Sequence, residues 1–274
     1  LDLTGEKRVE FLRDRKGAIV ALEPITGSVI GNLPDLKVIS KYGVGLNNID
    51  QEALKARGIR LGWTGGVNAR SVSELTLAFA LGIFRNVFIT SRLLSSGQWK
   101  NEGGCQLSGK TIGIIGCGFI GKDLIRLLSP FGCKVLIHDL IEMHSFCRDH
   151  GCSQVSKKEL LKASDLVTVH VPYEPATHHL IGTVELDQMK KGAVLINTSR
   201  GDIVDEVALI QALSSGKLMG SAADVFATEP LLDSPLMQLA NFFGTPHIGG
   251  SSAEAILAMG TAAIENLANC FAPT

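Results

Sequence analysis

Three glycines, Gly116, Gly118 and Gly121, stand directly after the apolar run Thr111–Ile115 and directly before an amphipathic stretch. In that setting the first glycine permits a tight turn, the second lets bare backbone approach a pyrophosphate, and the third lets helix and strand pack closely. The N-terminus of the following helix adds free N–H groups and its dipole to an anion held there. Asp139 ends the next expected strand, eighteen positions beyond Gly121. A carboxylate at that place accepts hydrogen bonds from both ribose hydroxyls and repels a 2′-phosphate, so the cofactor expected is NAD rather than NADP; His138 and Lys134 do not reverse this. A bare G-x-G-x-x-G is weak evidence, but strand, helix and acid together specify a dinucleotide site. Three further motifs close later strands, where ligands bind in open α/β sheets: INTSRGDIVDE (196–206), AADVFATEP (222–230) and TPHIGG (245–250).

The elements that must hold these residues read as an alternation. Residues 6–16 have helical spacing (Val9, Leu12), Gly17 ends them, and 18–22 is an apolar strand. A short helical turn at 28–33, strands at 36–40 and 59–62 and a helix at 51–57 follow. From Ser71 to about Leu94 the spacing predicts one long apolar helix, with Ser71 and Glu74 as a capping box, acting as a connector between two lobes. A second series has strands at 111–115, 134–138, 166–169, 193–197, 220–224 and 241–244, with helices at 121–130, 142–150, 157–163, 183–190 and 205–215. Residues 253–270 form a last helix. Continuous apolar strands with interposed helices predict parallel sheets covered on both faces. The fold class expected is α/β: a doubly wound Rossmann domain, residues 72–250, inserted into a smaller flavodoxin-like lobe of residues 1–71 and 251–274, with the ligand site in the cleft between. The chain opens on Leu1 as though a helix were already under way, so the small lobe is expected to be truncated at its N-terminus.

Bulk properties exclude several classes. With 274 residues two domains are the starting expectation, and 45% hydrophobic against 19% charged residues supplies ordinary packed cores and argues against disorder. A formal charge of −1 provides no field for nucleic acid or an anionic membrane surface, so any bound anion must be held by local donors. The six cysteines show neither CxxC pairing nor zinc-ligand spacing; reduced thiols in a cytoplasmic protein are expected, and no metal.

Taken in order, KYGVGLNNID, NARSVSELT, GIIGCGFIG, VHVP, NTSRG, DVFATEP and TPHIGG resemble the D-2-hydroxyacid dehydrogenases, most nearly the D-3-phosphoglycerate dehydrogenase branch, over about residues 36–260. The resemblance implies hydride transfer between NAD and a small D-2-hydroxy acid or 2-keto acid, with D-3-phosphoglycerate among the candidates. It implies a catalytic set of Arg200, Glu229 and His247. It further implies cofactor contacts at Phe119, Ile120, Asp139, Val171, Thr198, Asp224 and Gly249 besides the three glycines, and substrate carboxylate contacts at Val44, Gly45 and Arg200. The residue types suit that chemistry. Histidine can both take a hydroxyl proton and return it to a ketone oxygen, an adjacent carboxylate favours the charged ring and fixes it, and arginine offers a carboxylate a fork that lysine does not reproduce.

Singly, each residue has a plainer reading: Arg200 as a surface ion-pair partner, Glu229 as a solvated acid, His247 as a loop-bonding histidine. The joint spacing favours catalysis. His138, His144, His150, His170, His178 and His179 lack such context and read as surface or structural. Lys41 stands where the phosphoglycerate branch often has arginine, which leaves a phosphate contact open. The alternative function is an NAD(H)-sensing, protein-binding module of corepressor type on the same scaffold; a silent chain serving in an oligomer is a third. A homodimer is expected because the 71–94 helix is apolar on more than one face.

Overall fold

A computed structural model describes residues 4–271. The chain divides into two compact units, one drawn from Leu1–Asn68 and Gly250–Thr274, the other being Ala69–Gly249.

The smaller unit runs α1 (Gly5–Leu12), β1 (Gly17–Val20), α2 (Gly27–Gly31), β2 (Val38–Lys41), α3 (Gln51–Ala56) and β3 (Arg60–Gly62), and recruits the C-terminal helix Ala253–Asn269. Its starts are local chemistry: Thr26 accepts from Val29 N, Asp50 from Ala53 N and Ser252 from Ala255 N. The three strands are parallel in the order β1-β2-β3, and every residue of the central β2 is buried. Ile25, Ile30, Leu33, Ile39 and Leu54 form the core with α1 to α3. The C-terminal helix lies close on the sheet, with Ser40 Oγ donating to Ala263 O at 2.7 Å, and a Cβ at Gly62 would stand 2.8 Å from Asn266 Cβ.

The larger unit begins with α4 (Ala69–Phe84) and α5 (Val87–Ser95). Then follow β4 (Thr111–Ile115), α6 (Phe119–Leu128), β5 (Lys134–His138), α7 (His144–His150), β6 (Cys152–Gln154), α8 (Lys157–Ala163), β7 (Leu166–Val169), α9 (Thr183–Gln188), β8 (Ala193–Asn197), α10 (Glu206–Ser214), β9 (Leu218–Ala223) and β10 (Phe242–Gly244). The C-terminal helix is therefore α11. All seven strands are parallel, ordered β10-β9-β8-β7-β4-β5-β6, so the order reverses between β4 and β7, the place where doubly wound sheets open a ligand crevice. One face is covered by α4 and α6 over Ile112, Ile114 and Ile196, the other by α8, α9 and α10 over Val167, Leu195 and Leu218. Each such fully buried aliphatic side chain contributes about 1.5–3 kcal/mol relative to exposure.

Three expectations need correction. A seventh strand, β6, was not legible because its three residues, Cys152–Gln154, are short and polar and pair only through β5. The single helix expected over 71–94 is two, bent by 65°: Phe84 O accepts from Cys105 N at 2.7 Å, Asn86 turns left-handed at φ 54, and the Phe88 ring folds back onto Gly82, where a Cβ would stand 2.2 Å away. Ser71 is not the cap either. The helix already starts at Ala69, and the Ser71 hydroxyl donates to Gly249 O at 2.6 Å. Among the described residues no single helix is long and apolar enough to cross a membrane. Much of the apolar surface of α4 is absorbed by the core, including Leu75, Leu77 and Leu81; the exposed apolar residues of this region are Val87, Leu94 and Trp99.

Candidate active site

The glycine turn has the geometry its residue types demand. Gly116 adopts φ +92, and a Cβ there would stand 2.8 Å from His170 C and Val171 N, so the turn runs hard against the end of β7. At Gly121 a Cβ would meet Gly116 O at 2.5 Å, which seats α6 on its strand. Gly118 caps α6, with nothing within 4 Å of where its Cβ would be, leaving open backbone at a helix N-terminus. Asp139, just after β5, accepts from Cys117 N at 2.7 Å through Oδ2 and from Ile141 N at 3.0 Å through Oδ1. The carboxylate thus orders the turn while each oxygen keeps a further lone pair for a ribose hydroxyl. Phe119 is exposed and Ile120 half-buried in the first turn of α6, which Ser73 Oγ ties down by donating to Ile120 O at 3.2 Å. Cys117 is buried, and desolvation pushes its thiol up to about 11, so it packs as a neutral group. These residues fit a dinucleotide.

Arg200, Glu229 and His247 sit on three loops that follow β8, β9 and β10 of the same sheet. Asn197 ends β8 and shapes the first loop: Nδ2 donates to Arg200 O at 2.8 Å, and Oδ1 accepts from Ser199 N at 3.1 Å and Ser199 Oγ at 2.9 Å. Arg200 Nη1 donates to Ser199 O at 2.6 Å; burial lowers its pKa and the Glu229 charge opposes that, leaving a cation held in a fixed direction. Glu229 Oε1 accepts from Phe226 N at 3.0 Å, and Oε2 lies 2.7 Å from His247 Nδ1. A carboxylate only accepts, so Nδ1 carries the proton, and Nε2, with no partner among the described residues, is the nitrogen left to exchange one. The pair is 48% and 35% exposed, so Nε2 is accessible from solvent.

His247 adopts φ +54, a sparsely populated region for a side-chain-bearing residue and one found at functional sites. Asp224 holds it there. His247 N donates to Asp224 O at 2.9 Å, and the buried Asp224 carboxylate accepts from Thr245 Oγ1 at 2.5 Å, Ile248 N at 2.7 Å and Gly249 N at 2.7 Å. Asp224, expected as a cofactor contact, is here engaged three times by the loop that carries His247. Gly249 is bare because a Cβ would stand 2.8 Å from Asp224 Oδ2. The spacing of DVFATEP and TPHIGG carried no sign of this network, nor did it mark Asn197.

Residues 77–249 match the NAD binding domain of the D-isomer specific 2-hydroxyacid dehydrogenases. The chain belongs to that family. It is 38% identical to a D-3-phosphoglycerate dehydrogenase of Methanocaldococcus jannaschii over 97% of its own length, spanning only 51% of that relative. Against a glyoxylate reductase of Thermococcus litoralis it is 37% identical, covering 91% of itself and 79% of the relative. A crystal structure of a glyoxylate reductase from Paecilomyes thermophila superposes with a TM-score of 0.89 at 29% identity, over 96% of this chain and 84% of the other.

The other contacts expected from the family resemblance are distributed as follows. Val171 lies half-buried just past β7, beside the glycine turn, and Thr198 is buried just past β8, its hydroxyl 3.1 Å from that of Thr76. Val44 and Gly45 belong to the smaller unit, in the loop after β2, where Val44 O accepts from Trp63 Nε1 at 3.0 Å. Lys41 is buried, with Nζ bonded to Ala21 O and, at 2.9 Å, to Asn48 Oδ1. Its ammonium is a loop fastener.

Of the two readings given to His170, surface or structural, the structural one applies. Nε2 lies 3.0 Å from Thr168 Oγ1, and Nδ1 is shut off from solvent without a partner among the described residues. Although part of the residue reaches the surface, its ring is desolvated and its pKa falls to about 3. An unfolded histidine binds a proton near pH ~6.5, so the unfolded state takes up a proton that the folded state refuses, and stability present above that pH is lost as pH falls toward 3. From pH 7 to pH 5 this group should remove about 2 kcal/mol. Urea melts of His170→Asn at the two pH values are expected to lack that share; an unchanged pH dependence would refute the assignment.

Proposed function

We propose that the protein is an NAD-dependent oxidoreductase that transfers hydride between NAD and a small D-2-hydroxy acid or its 2-keto acid. The observation that carries this reading is the 2.7 Å Glu229–His247 pair with Nε2 left open, on the same sheet as a glycine turn built for a dinucleotide. Bound at that turn, with Asp139 toward its ribose, NAD supplies the hydride acceptor or donor. His247 Nε2 takes the hydroxyl proton in oxidation, or returns it to the carbonyl oxygen in reduction. Glu229 fixes the ring and stabilises its charged form as the proton arrives. Arg200 holds the substrate carboxylate by its fork and polarises the neighbouring carbonyl.

Lys41, the cation the sequence offered to a phosphate, is occupied by Ala21 and Asn48, which supports an unphosphorylated keto acid over phosphohydroxypyruvate. A homodimer is part of the reading, supported by the exposed Val87, Leu94 and Trp99.

Loss of reduced-nicotinamide absorbance with glyoxylate, hydroxypyruvate, pyruvate, 2-ketoglutarate and phosphohydroxypyruvate tests it. Strong turnover on an unphosphorylated acid is expected. Silence across the panel with tight NADH binding would overturn the enzyme in favour of an NAD(H)-sensing module.

A further inference from the structure

Between the Arg200 loop and the Glu229 loop stands an acid to which the chemistry above gives no part. Glu206, in the first turn of α10, accepts from Ala227 N at 2.9 Å through Oε1. The preceding amide, Phe226 N, donates to Glu229 Oε1 at 3.0 Å. Two carboxylates therefore hold consecutive amides of one segment, and that segment carries Glu229 itself. Residues 227–230 lie exposed and outside any helix or strand. The platform beneath is rigid: Asp205 Oδ1 accepts from Val207 N and Ala208 N at 2.9 and 3.1 Å, Ala208 and Leu209 are buried, and Val204 bridges to Ile181. Gly201 presses against the same segment, for a Cβ there would stand 1.9 Å from Phe226 C and 2.2 Å from Ala227 N.

We propose that Glu206 is a positioning residue that fixes the 226–229 turn, and through it the Glu229 carboxylate against His247. The inference rests on the function proposed above. What the turn requires of Glu206 is an acceptor at the right reach, and its charge is incidental. Glutamine keeps the acceptor and the length; alanine removes both; aspartate keeps the charge but shortens the reach.

The test compares E206Q, E206A and E206D in the full chain. Misplacing a catalytic group by about 1 Å costs on the order of 100-fold, so E206A and E206D are expected to lower kcat by about 10- to 100-fold, with the NADH Kd by fluorescence unchanged and E206Q within about threefold of the parent. Because Ala227 N is exposed and water can replace its partner, the melting temperature should barely move. Hydrogen exchange supplies a readout independent of turnover: amides 226 and 227, the two that carboxylates hold, should exchange faster in E206A and E206D and stay protected in E206Q. Equal loss of kcat in all three variants would make the charge essential and overturn the proposal, as would unaltered exchange and kcat in E206A. If E206A melts early, E206D against E206Q decides the matter. A parent protein silent on every keto acid would sink the proposed function, while the exchange pattern would still judge Glu206.

Discussion

His247→Gln is expected to lower kcat/KM for the keto acid by about a thousandfold while the NADH Kd stays within a few-fold of the parent. Glutamine can still donate to Glu229 Oε2, so the loop fixed by Asp224 should keep its shape, but an amide neither takes nor releases a proton near neutrality. General acid–base catalysis by a positioned group contributes typically 10²–10⁴-fold, and a thousandfold loss is the middle of that range. The variant is informative because fold and chemistry separate. The backbone N of His247 bonds to Asp224 O and Thr245 O, interactions that survive any side chain, and the dinucleotide turn follows β4, with β7, β8 and β9 lying between it and β10 in the sheet. Fluorescence titration of NADH and steady-state rates on one preparation would check it. Turnover within tenfold of the parent would remove His247 as the proton carrier.

Arg200→Lys carries the second large effect: a loss of about 100- to 1,000-fold in kcat/KM, most of it in KM for the keto acid. Lysine keeps the charge, so a purely electrostatic role would be nearly preserved. The fork is lost. A guanidinium grips both oxygens of a carboxylate and presents a further N–H to the adjacent carbonyl, whereas an ammonium meets them as a point charge on a flexible stem. Truncating one side of a buried charged hydrogen-bonded contact costs about 2–5 kcal/mol, a range that contains the about 2.7–4.1 kcal/mol of the expected loss. The backbone around Arg200 is held by Asn197 Nδ2 and by the close approach of Gly201 to Phe226, neither of which depends on the guanidinium. Steady-state constants for the keto acid and for NADH would separate the outcomes. A lysine variant with an unaltered KM for the acid would show that Arg200 does not hold the carboxylate.

Residue types and their spacing were enough for the α/β class, most strand and helix positions, the dinucleotide turn with its acid, and the motifs bearing Arg200, Glu229 and His247. These are local signals. A glycine turn is read from neighbours along the chain because φ and Cβ clearance act over a few residues, and a buried parallel strand declares itself by a continuous apolar run. The same locality misplaced the 71–94 helix: Ser71 and Glu74 have the composition of a capping box, yet Ser71 is held by Gly249, far away in sequence, and the helix bends because Cys105 takes the carbonyl of Phe84.

The interactions that position the chemistry arise from contacts between distant parts of the chain. His247 and Glu229 are eighteen residues apart, and their 2.7 Å contact depends on β9 and β10 lying side by side. Asp224 became the anchor of the histidine loop, Glu206 the clamp on the glutamate loop, His170 a neutral desolvated ring and Lys41 a loop fastener for one reason. Hydrogen bonding and desolvation act over a few ångströms in space, and the chain brings together at that range residues that its sequence keeps far apart.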